Sequence, residues 1–443
     1  MNQLIITNAL IVTCDKNHTI INQGSAIINN GIIDKIYETD SNNDFPAEAK
    51  KIIDANGKIL MPGLINMHCH AADSLFRGLV ENLALEEWLA KVWIAEKAIL
   101  TPKTTYTGSI LGLAENLMNG VTTVMDMFWY PEETASAAKK IGMRLATGGI
   151  FFDPPGVGGR TQKQYLTEAE NFFEKYWNDD FIIPCSMPHA TYTVGENHLK
   201  EAKILAEKYN GLFSTHAAET IAEQNDIKNR YGRSVIKHLS DLGLLGSSTS
   251  LAHCVHLNKT EIELIAESST SIIHNPISNL KLGSGIAPVW ECMDAGINMT
   301  LGTDGAISGN DLDLWMALRL AATLPKGFHM KPDIVNPKEA LHMVTLNGAK
   351  ALGLDMALGS IEKGKKADLI LIDINKIHSV PIFDPITHLV YSTARSDITD
   401  VFVQGKQVMG NKQIKNINIS DTLEEVKLMS QKIASTLDGE NYG

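Results

Sequence analysis

Several residues of this sequence have the types and positions of a metal-dependent hydrolytic site. His68 and His70 end the stretch "LINMHCH", and their spacing of two puts both side chains on one face of a strand. His216 in "GLFSTH", His253 in "TSLAH" and Asp304 in "MTLGTD" also come at the ends of short apolar runs. Three neutral imidazoles and a carboxylate suit Zn²⁺ or Fe²⁺ and leave one position for water. The pattern therefore predicts a metal site.

Proton-transfer groups accompany these residues. Glu219 follows His216 by three residues in "HAAE", so its carboxyl group could face the hydrolytic water and shuttle a proton to a substrate nitrogen. Asp304 could take a proton from that water, and His253 could hydrogen-bond the same water. The segment "IIPCSMPHATYT" carries no lysine that could be carbamylated to bridge two metals. This favours a site with one metal.

Eight short apolar segments must position these residues. Helical segments with apolar residues at three-to-four spacing, such as "ENHLKEAKILAEKYN", separate them. Alternating strands and helices imply a parallel sheet, and eight such units over ~300 residues predict a (β/α)₈ TIM barrel, whose catalytic residues lie at the carboxyl ends of the strands. The eight segments are "ILMPGLINMHCH", "TTVMDM", "MRLATGGIFF", "FIIPCSMPHATY", "GLFSTHAAE", "TSLAHCVHL", "TSIIHNP" and "INMTLGTDG".

The two ends of the chain have a residue pattern that differs from that of the central part. Short apolar runs with Gly turns occur near the start, in "QLIITNALIVT" and "AIINNGIIDKI", and again near the end, in "ADLILIDI" and "ITDVFVQGKQVMGN". We therefore expect residues 1–60 and 356–420 to form one small composite β-sandwich domain. Residues 61–355 are then the barrel, and residues 421–443 a C-terminal helix and tail.

Bulk properties exclude some classes of protein. The 443 residues carry a net charge of −12 with no basic block, so we expect no nucleic-acid partner. No apolar run approaches the ~18 residues of a membrane span, so no membrane partner is expected either. Five cysteines without a CxxC pair and an N-terminus without the pattern of a signal peptide favour a reduced, cytoplasmic location.

Taken together, the motifs resemble those of the amidohydrolase superfamily, in its nucleoside and triazine deaminase branch. The resemblance covers essentially the whole chain, is strongest to deaminases of 5'-methylthioadenosine and S-adenosylhomocysteine, and is carried by "PGLINMHCH", "MPHATYTV", "STHAAET", "AHCVH", "HNPISNLKLGSGIAP" and "LGTDGA". It implies one divalent metal, zinc with iron or manganese as alternatives, and a homo-oligomer. The implied metal ligands are His68, His70, His216 and Asp304.

The resemblance also implies roles for other residues. Glu219 would protonate the adenine ring, while His253 and Asp304 would handle the water that attacks C6 and releases ammonia. Glu96 matches a family glutamate that binds the ribose hydroxyls. His189 matches a histidine that contacts the purine nucleoside, and Arg160 matches an arginine near the substrate. The alternatives for these three are a solvated helix acid, a structural histidine and a mobile surface arginine.

Two features depart from the family pattern. Some members carry an arginine at the end of the third barrel strand, where "LATGGIF" offers only Gly148 and Gly149, which puts the amino-acid end of S-adenosylhomocysteine in doubt. Asp73 stands where relatives often have an apolar residue. We expect it to cap a helix beginning at Ser74, with contact to a cationic or amino group of the substrate as the alternative.

The predicted activity is hydrolytic deamination of an adenine nucleoside or thioether nucleoside. The predicted partner is therefore a small-molecule heterocyclic substrate. Another aminated or chlorinated heterocycle, such as guanine, a pterin or an s-triazine, is the alternative, because fold and metal site would be the same. Glu219 favours deamination over dechlorination, and Glu96 favours nucleosides. A non-catalytic scaffold is a third hypothesis, which the complete set of ligands and proton-transfer groups disfavours.

Overall fold

The computed structural model describes residues 3–38 and 51–437. These residues form an eight-stranded parallel sheet and a separate nine-stranded mixed sheet. Residues 1–2 and 39–50 of the expected β domain and residues 438–443 of the expected tail lie outside the described residues. The predicted fold class, a barrel with a smaller β unit assembled from both ends of the chain, is confirmed.

The nine-stranded sheet combines strands from both ends of the chain. Its pairing order is β17-β16-β15-β14-β5-β1-β2-β3, with β4 beside β1, so β5 and β14 join the N-terminal and C-terminal contributions. Ile11, Leu60, Leu371 and Phe402 are among the residues of its own small core. Its first five strands are β1 Gln3–Val12, β2 Ile20–Asn29, β3 Ile32–Glu38, β4 Lys51–Asp54 and β5 Lys58–Pro62.

The barrel strands follow in chain order, each paired in parallel with its neighbour. Their residues are almost all buried, as expected for parallel strands that are covered on both faces. The backbone N–H groups of Thr303 and Asp304 donate to the carbonyl of His68, which connects the last strand back to the first. The strands are β6 Leu64–Cys69, β7 Val121–Asp126, β8 Arg144–Phe151, β9 Ile182–Pro188, β10 Leu212–Ala217, β11 Thr249–His253, β12 Ser271–His274 and β13 Met299–Leu301.

The segment "ILMPGLINMHCH", which the sequence presents as one strand, is two strands in two sheets. β5 ends at Pro62 in the terminal sheet, and β6 begins at Leu64 in the barrel. Gly63 separates them, and an added Cβ there would lie 2.2 Å from the Thr122 side chain, so the chain crosses between the sheets at a point with no room for a side chain. The remaining strands, β14 Leu369–Asp373, β15 Ile398–Val403, β16 Lys406–Gly410 and β17 Gln413–Ile414, complete the terminal sheet.

Helices surround the barrel, and several begin with a capping side chain, such as Thr161 and Asn258. None of the helices within residues 3–38 and 51–437 has the length and apolar character needed to span a membrane. The α-helices are α1 Leu85–Ile99, α2 Pro102–Met118, α3 Pro131–Ile141, α4 Gln162–Tyr176, α5 Glu196–Lys208, α6 Ile221–Tyr231, α7 Val235–Asp241, α8 Lys259–Ser268, α9 Pro276–Lys281, α10 Val289–Asp294, α11 Ala306–Gly309, α12 Leu314–His329, α13 Pro337–Met343, α14 Leu346–Ala351, α15 Pro385–Tyr391 and α16 Ile419–Ala434. Short 3₁₀ helices are Ala71–Phe76, Val157–Gly159, Arg395–Asp397 and Ser435–Leu437.

Candidate active site

The four predicted metal ligands converge at the carboxyl ends of three barrel strands. His68 lies in β6 and His70 directly follows it, His216 lies in β10, and Asp304 comes three residues after β13. The Oδ1 atom of Asp304 is 3.1 Å from Nε2 of His70 and 3.5 Å from Nε2 of His68. Nε2 of His216 is 3.2 Å from Nε2 of His68. The strand order has therefore brought together residues that are up to 236 positions apart in the sequence.

These separations fit a bound metal ion. Two ligand atoms of a tetrahedral site with bonds of ~2.0–2.1 Å lie about 3.3 Å apart. Nδ1 of His70 donates to the carbonyl of Met127 at 2.5 Å, and Nδ1 of His216 donates to the carbonyl of His189 at 2.6 Å. Since a carbonyl oxygen only accepts, these bonds place the Nδ1–H of both rings away from the cluster and direct both Nε2 atoms towards it, which is the arrangement that metal-binding histidines require.

The charges of the cluster lead to the same conclusion. Burial lowers the pKa of His68 to about 4 and that of His216 well below its usual value, so both rings are neutral. Burial also lowers the pKa of His70, but the hydrogen bond and charge of Asp304 outweigh it and raise that pKa to about 10. Burial opposes ionisation of Asp304, yet hydrogen bonds with His68 and His70 hold its pKa well below the usual range. The carboxylate thus attracts a positive charge into the cluster, which a divalent metal would supply.

His253 lies against the same cluster. Its ring and those of His68 and His216 form a second triad whose nitrogens lie within 4.8 Å of one another, beside the triad of His68, His70 and Asp304. Nδ1 of His253 donates to Oδ1 of Asn279 at 2.8 Å, so its Nε2 lone pair is available. The geometry allows His253 either to hold a metal or to accept a hydrogen bond from a water beside it.

Glu219 is buried in the same pocket, two residues beyond β10. Burial raises its pKa well above the usual value and the nearby charge of Asp304 raises it further, which favours the protonated form of the carboxyl group. Its backbone N–H donates to Glu223 Oε2 at 2.9 Å, and the Thr191 hydroxyl donates to the other oxygen of Glu223 at 2.6 Å. Glu223 on α6 therefore fixes the backbone of Glu219.

Backbone conformation at the strand ends is unusual. His253 and Asp304, with φ values of 75° and 63°, lie in the left-handed region that non-glycine residues rarely adopt, and so does Ala218 beside Glu219. Such conformations cost roughly 1–3 kcal/mol each and concentrate at functional sites. Three of them occur where the chain turns out of β10, β11 and β13.

The cluster opens into a pocket of about 630 Å³, its mouth included. Glu96 of α1 lines it, and the indole Nε1–H of Trp129 donates to Glu96 Oε2 at 2.9 Å. His189, one residue after β9, lines it as well, and burial lowers the pKa of His189 to about 3, so that its ring is neutral. The structure thus brings Glu96 and His189 together with the metal cluster.

Arg160 lies apart from this pocket. Its Nε atom donates to both carboxylate oxygens of Glu168, at 2.8 and 2.6 Å, and its guanidinium group stacks on the ring of Tyr130. It lines a small adjoining pocket with Tyr165. Arg160 is thus bound to Glu168 and Tyr130, and it does not lie with the other predicted site residues.

Gly148 and Gly149, compared above with an arginine of some family members, lie inside β8, which continues to Phe151. An added Cβ on Gly148 would lie 2.1 Å from the carbonyl oxygen of Cys185, and one on Gly149 would lie 2.1 Å from Cβ of Ala169. Neither position has room for a side chain. The carboxyl end of this strand is therefore Phe151, beyond the glycines.

The predicted helix cap at Asp73 is wrong. The 3₁₀ helix begins at Ala71, so Asp73 lies inside the helix. The N-cap residue of this helix is His70, whose side chain makes no capping hydrogen bond. The Asp73 side chain instead lines the pocket beside Glu96. Burial raises the pKa of Asp73 well above its usual value, and the adjacent Glu96 carboxyl raises it further. Burial likewise raises the pKa of Glu96, to about 7.

Several site residues escaped prediction from the sequence. Ser278 donates its hydroxyl to Asp304 Oδ2 at 2.6 Å, and Asn279 holds His253; both lie on α9. The motif "HNPISNLKLGSGIAP" carried this signal, but only as part of a family pattern. Glu223 stands three residues after Thr220, the spacing of a capping box, yet its side chain reaches the N–H of Glu219 instead of that of Thr220.

Comparison with known proteins finds related chains that are similar over nearly the whole length of this one. The amidohydrolase family model matches residues 59–408. The chain is 38% identical over 440 residues to a 5'-deoxyadenosine deaminase of Methanosarcina acetivorans, with 98% of this chain and 99% of that protein covered. It is 37% identical over 434 residues to a 5-methylthioadenosine/S-adenosylhomocysteine deaminase of Acetivibrio thermocellus, covering 97% of this chain and 99% of the relative.

A solved structure has nearly the same fold. An adenosine deaminase from Xanthomonas campestris with bound zinc superimposes with a TM-score of 0.95 at 29% sequence identity, and 98% of each chain is covered. The similarity therefore extends through both sheets.

Proposed function

The chain belongs to the amidohydrolase family, and on that premise we propose that it hydrolytically deaminates an adenine nucleoside or thioether nucleoside at C6 of the purine. Family membership and the named deaminases make it a hydrolytic aminohydrolase. The observation that carries the choice of reaction is Glu219, a buried carboxyl group with a raised pKa in the same pocket as the ligand cluster. A proton donor beside the hydrolytic centre is what a ring nitrogen needs during deamination.

We propose that His68, His70, His216 and Asp304 hold a single zinc ion. The support is the set of Nε2 and Oδ1 separations, the two Nδ1–H bonds to carbonyls, and bound zinc in the adenosine deaminase of similar fold. A divalent metal at this position lowers the pKa of a bound water towards neutrality. Elemental analysis of the purified protein tests both the metal and its stoichiometry.

The proposed reaction uses the side chains of Glu219, Asp304 and His253. Glu219 donates its proton to N1 of the adenine ring as the water oxygen bonds to C6. Asp304 accepts a proton from that water, and His253 orients the water through the Nε2 lone pair that its bond to Asn279 leaves available. The C6–N bond then breaks, the proton on Asp304 passes to the leaving amino group, and ammonia departs. The remaining proton of the C6 hydroxyl returns to the Glu219 carboxylate, which restores the proton donor. The product carries a carbonyl oxygen at C6.

Glu96 and His189 are the proposed substrate contacts. Glu96 would accept hydrogen bonds from ribose hydroxyls, with Trp129 fixing its carboxylate. His189 would contact the purine nucleoside from the neighbouring wall. The predicted substrate role of Arg160 remains a prediction, and so do the domain boundaries, the homo-oligomeric state and the cytoplasmic location.

A deaminase screen tests the function directly. Ammonia release would be measured as kcat/KM for adenosine, 5'-deoxyadenosine, methylthioadenosine, S-adenosylhomocysteine, guanine, a pterin and an aminotriazine. We expect an adenine nucleoside to give the highest value. Activity confined to guanine, the pterin or the triazine would overturn the substrate class, and protein without metal or ammonia release would support a scaffold.

A further inference from the structure

Asp73 is a buried carboxyl group that the proposed reaction does not use. It is 4% exposed, and its Oδ1 atom is buried without a hydrogen-bond partner. The side chain lines the substrate pocket from the 3₁₀ helix that follows His70. A buried oxygen without a hydrogen-bond donor destabilises the protein, because it has lost its contact with water and gained nothing in return. A ligand that brings a hydrogen-bond donor would remove this cost.

A second carboxyl group stands beside it. Glu96 comes from α1, on a different part of the chain, and its carboxyl group adjoins that of Asp73 in the same pocket. Trp129 holds Glu96 Oε2 by a 2.9 Å hydrogen bond, which fixes the position of the carboxylate. Two adjacent carboxyl groups on two elements can receive two donors from one ligand.

Acidic side chains outnumber lysines and arginines in the lining of the pocket. Among the described residues that line it there is no lysine or arginine, while Asp73, Glu96, Glu219 and Asp304 are all acidic. A ligand that carries a carboxylate at this end would be repelled. A neutral pair of hydroxyl groups satisfies both acids, because each hydroxyl donates one hydrogen bond without adding negative charge.

We propose that Asp73 and Glu96 together clamp the vicinal diol of the substrate ribose, and that Asp73 is a specificity-determining residue that selects ribonucleosides over deoxynucleosides. The inference rests on the proposed function, since it assigns the sugar end of the same pocket. One carboxyl group accepts from the 2'-hydroxyl and the other from the 3'-hydroxyl.

The test compares neutral substrates that differ by one hydroxyl group. Values of kcat/KM would be measured for 5'-deoxyadenosine and for its 2',5'-dideoxy and 3',5'-dideoxy analogues, with wild type, Asp73→Ala and Asp73→Asn. In the wild type, loss of the hydroxyl that Asp73 contacts should lower kcat/KM by about 10- to 100-fold, the range for leaving a buried acceptor without its donor. In Asp73→Ala that penalty should fall to about 3-fold or less, with Asp73→Asn intermediate.

A matched control and a metal assay separate specificity from structure. Glu87→Gln changes an exposed acid of the same helix as Glu96, outside the pocket, and should keep the wild-type penalty. Bound metal should be unchanged in both Asp73 variants. If Asp73→Ala does not fold, Asp73→Asn, which keeps the side-chain shape, carries the comparison.

Each other outcome overturns the clamp. Equal loss of activity on all three substrates in Asp73→Ala would indicate that Asp73 has a structural role instead. Preference of the wild type for 5'-amino-5'-deoxyadenosine, lost in Asp73→Ala, would mean that the acids bind an ammonium group instead. Absence of ammonia release from every adenine nucleoside would refute the proposed function itself, which distinguishes that failure from failure of the clamp alone.

Discussion

Glu219 is the side chain on which the proposed chemistry depends most directly. We predict that Glu219→Gln keeps the metal and lowers turnover by ~10²-fold or more, because an amide cannot deliver the proton that the ring nitrogen takes up. Ammonia release and elemental analysis on the same sample measure both quantities. Turnover near the wild-type value with metal bound would remove the assigned role.

Glu267→Gln is the control for that substitution. Glu267 is exposed on α8, so the same change of charge and shape there should leave turnover and metal content unaltered. A similar loss in both variants would indicate a general effect of charge on the protein.

The metal cluster allows an equally direct test. We predict that His68→Ala abolishes metal binding, since His68 belongs to both triads of the cluster and contacts Asp304 and His216 through one nitrogen. His253→Ala should retain the metal but lose turnover, if His253 orients the water and is not a ligand. Elemental analysis after dialysis measures occupancy in both variants. Full occupancy in His68→Ala would contradict the ligand set, and an empty His253→Ala site would make His253 a ligand.

At the scale of single residues, the sequence predicts the site residues that follow apolar segments, but it does not predict the residues that hydrogen-bond to them and hold them in place. The sequence predicts that His68, His216 and Asp304 converge, because barrel strands share a rim. In the structure Nε2 of His68 is 3.2 Å from Nε2 of His216 and 3.5 Å from Oδ1 of Asp304. Asp73 resembles a helix cap in the sequence because a helix beginning at Ser74 cannot be told there from a 3₁₀ helix beginning at Ala71. Glu223, Ser278 and Asn279 act through contacts that span loops, and no local pattern encodes those contacts.

Among the elements, the contact between α2 and the 3₁₀ helix Ala71–Phe76 controls where His70 and Asp73 lie. Gly108 and Gly112 are one helical turn apart on α2, and both face this 3₁₀ helix. A Cβ added to Gly112 would lie 2.2 Å from the carbonyl oxygen of Ala71. Only glycine lets the two backbones approach this closely.

We therefore predict that Gly112→Ala lowers the free energy of unfolding by about 1–3 kcal/mol, as overpacking against backbone does. It should also lower turnover, because the 3₁₀ helix must shift together with His70. Urea denaturation and ammonia release measure the two effects. Gly327→Ala on α12 is the control, since no atom lies within 4 Å of its added Cβ and the change should raise stability by up to about 1 kcal/mol. Equal stability of the two variants would contradict the packing argument.

The order of the barrel strands could be predicted from the sequence, but the first boundary could not. Alternating buried runs and amphipathic helices indicate eight parallel strands regardless of the details of each run. The run "ILMPGLINMHCH" is apolar on both sides of Gly63, so its pattern cannot show that Lys58–Pro62 pairs with β14 while Leu64–Cys69 pairs with β7. The assignment depends on partners about 300 and 60 residues away, which periodicity within the segment does not contain.

At the scale of the whole molecule, a buried ion pair joins the two sheets. Arg144 at the start of β8 donates through Nε and Nη2 to Asp368 Oδ2, at 3.3 and 3.2 Å, and Asp368 directly precedes β14 of the terminal sheet. Both side chains are almost fully buried. Asp368 also accepts hydrogen bonds from two backbone N–H groups, that of Gln404 to Oδ1 and that of Gly63 to its carbonyl oxygen. The ion pair therefore lies next to Gly63, where the chain crosses between the two sheets.

Breaking this pair on one side should be costly, because it leaves a buried carboxylate without its countercharge. We predict that Arg144→Met lowers the free energy of unfolding by about 3–5 kcal/mol, and that adding Asp368→Asn recovers part of the loss by removing the unpaired charge. Arg230→Met is the matched control, because its partner Asp226 lies on the same exposed face of α6 and such pairs contribute at most about 0.5 kcal/mol. Urea denaturation of the four proteins, wild type included, measures the differences. If Arg144→Met were no more destabilising than Arg230→Met, the barrel and terminal sheet would be held together by their apolar contacts alone.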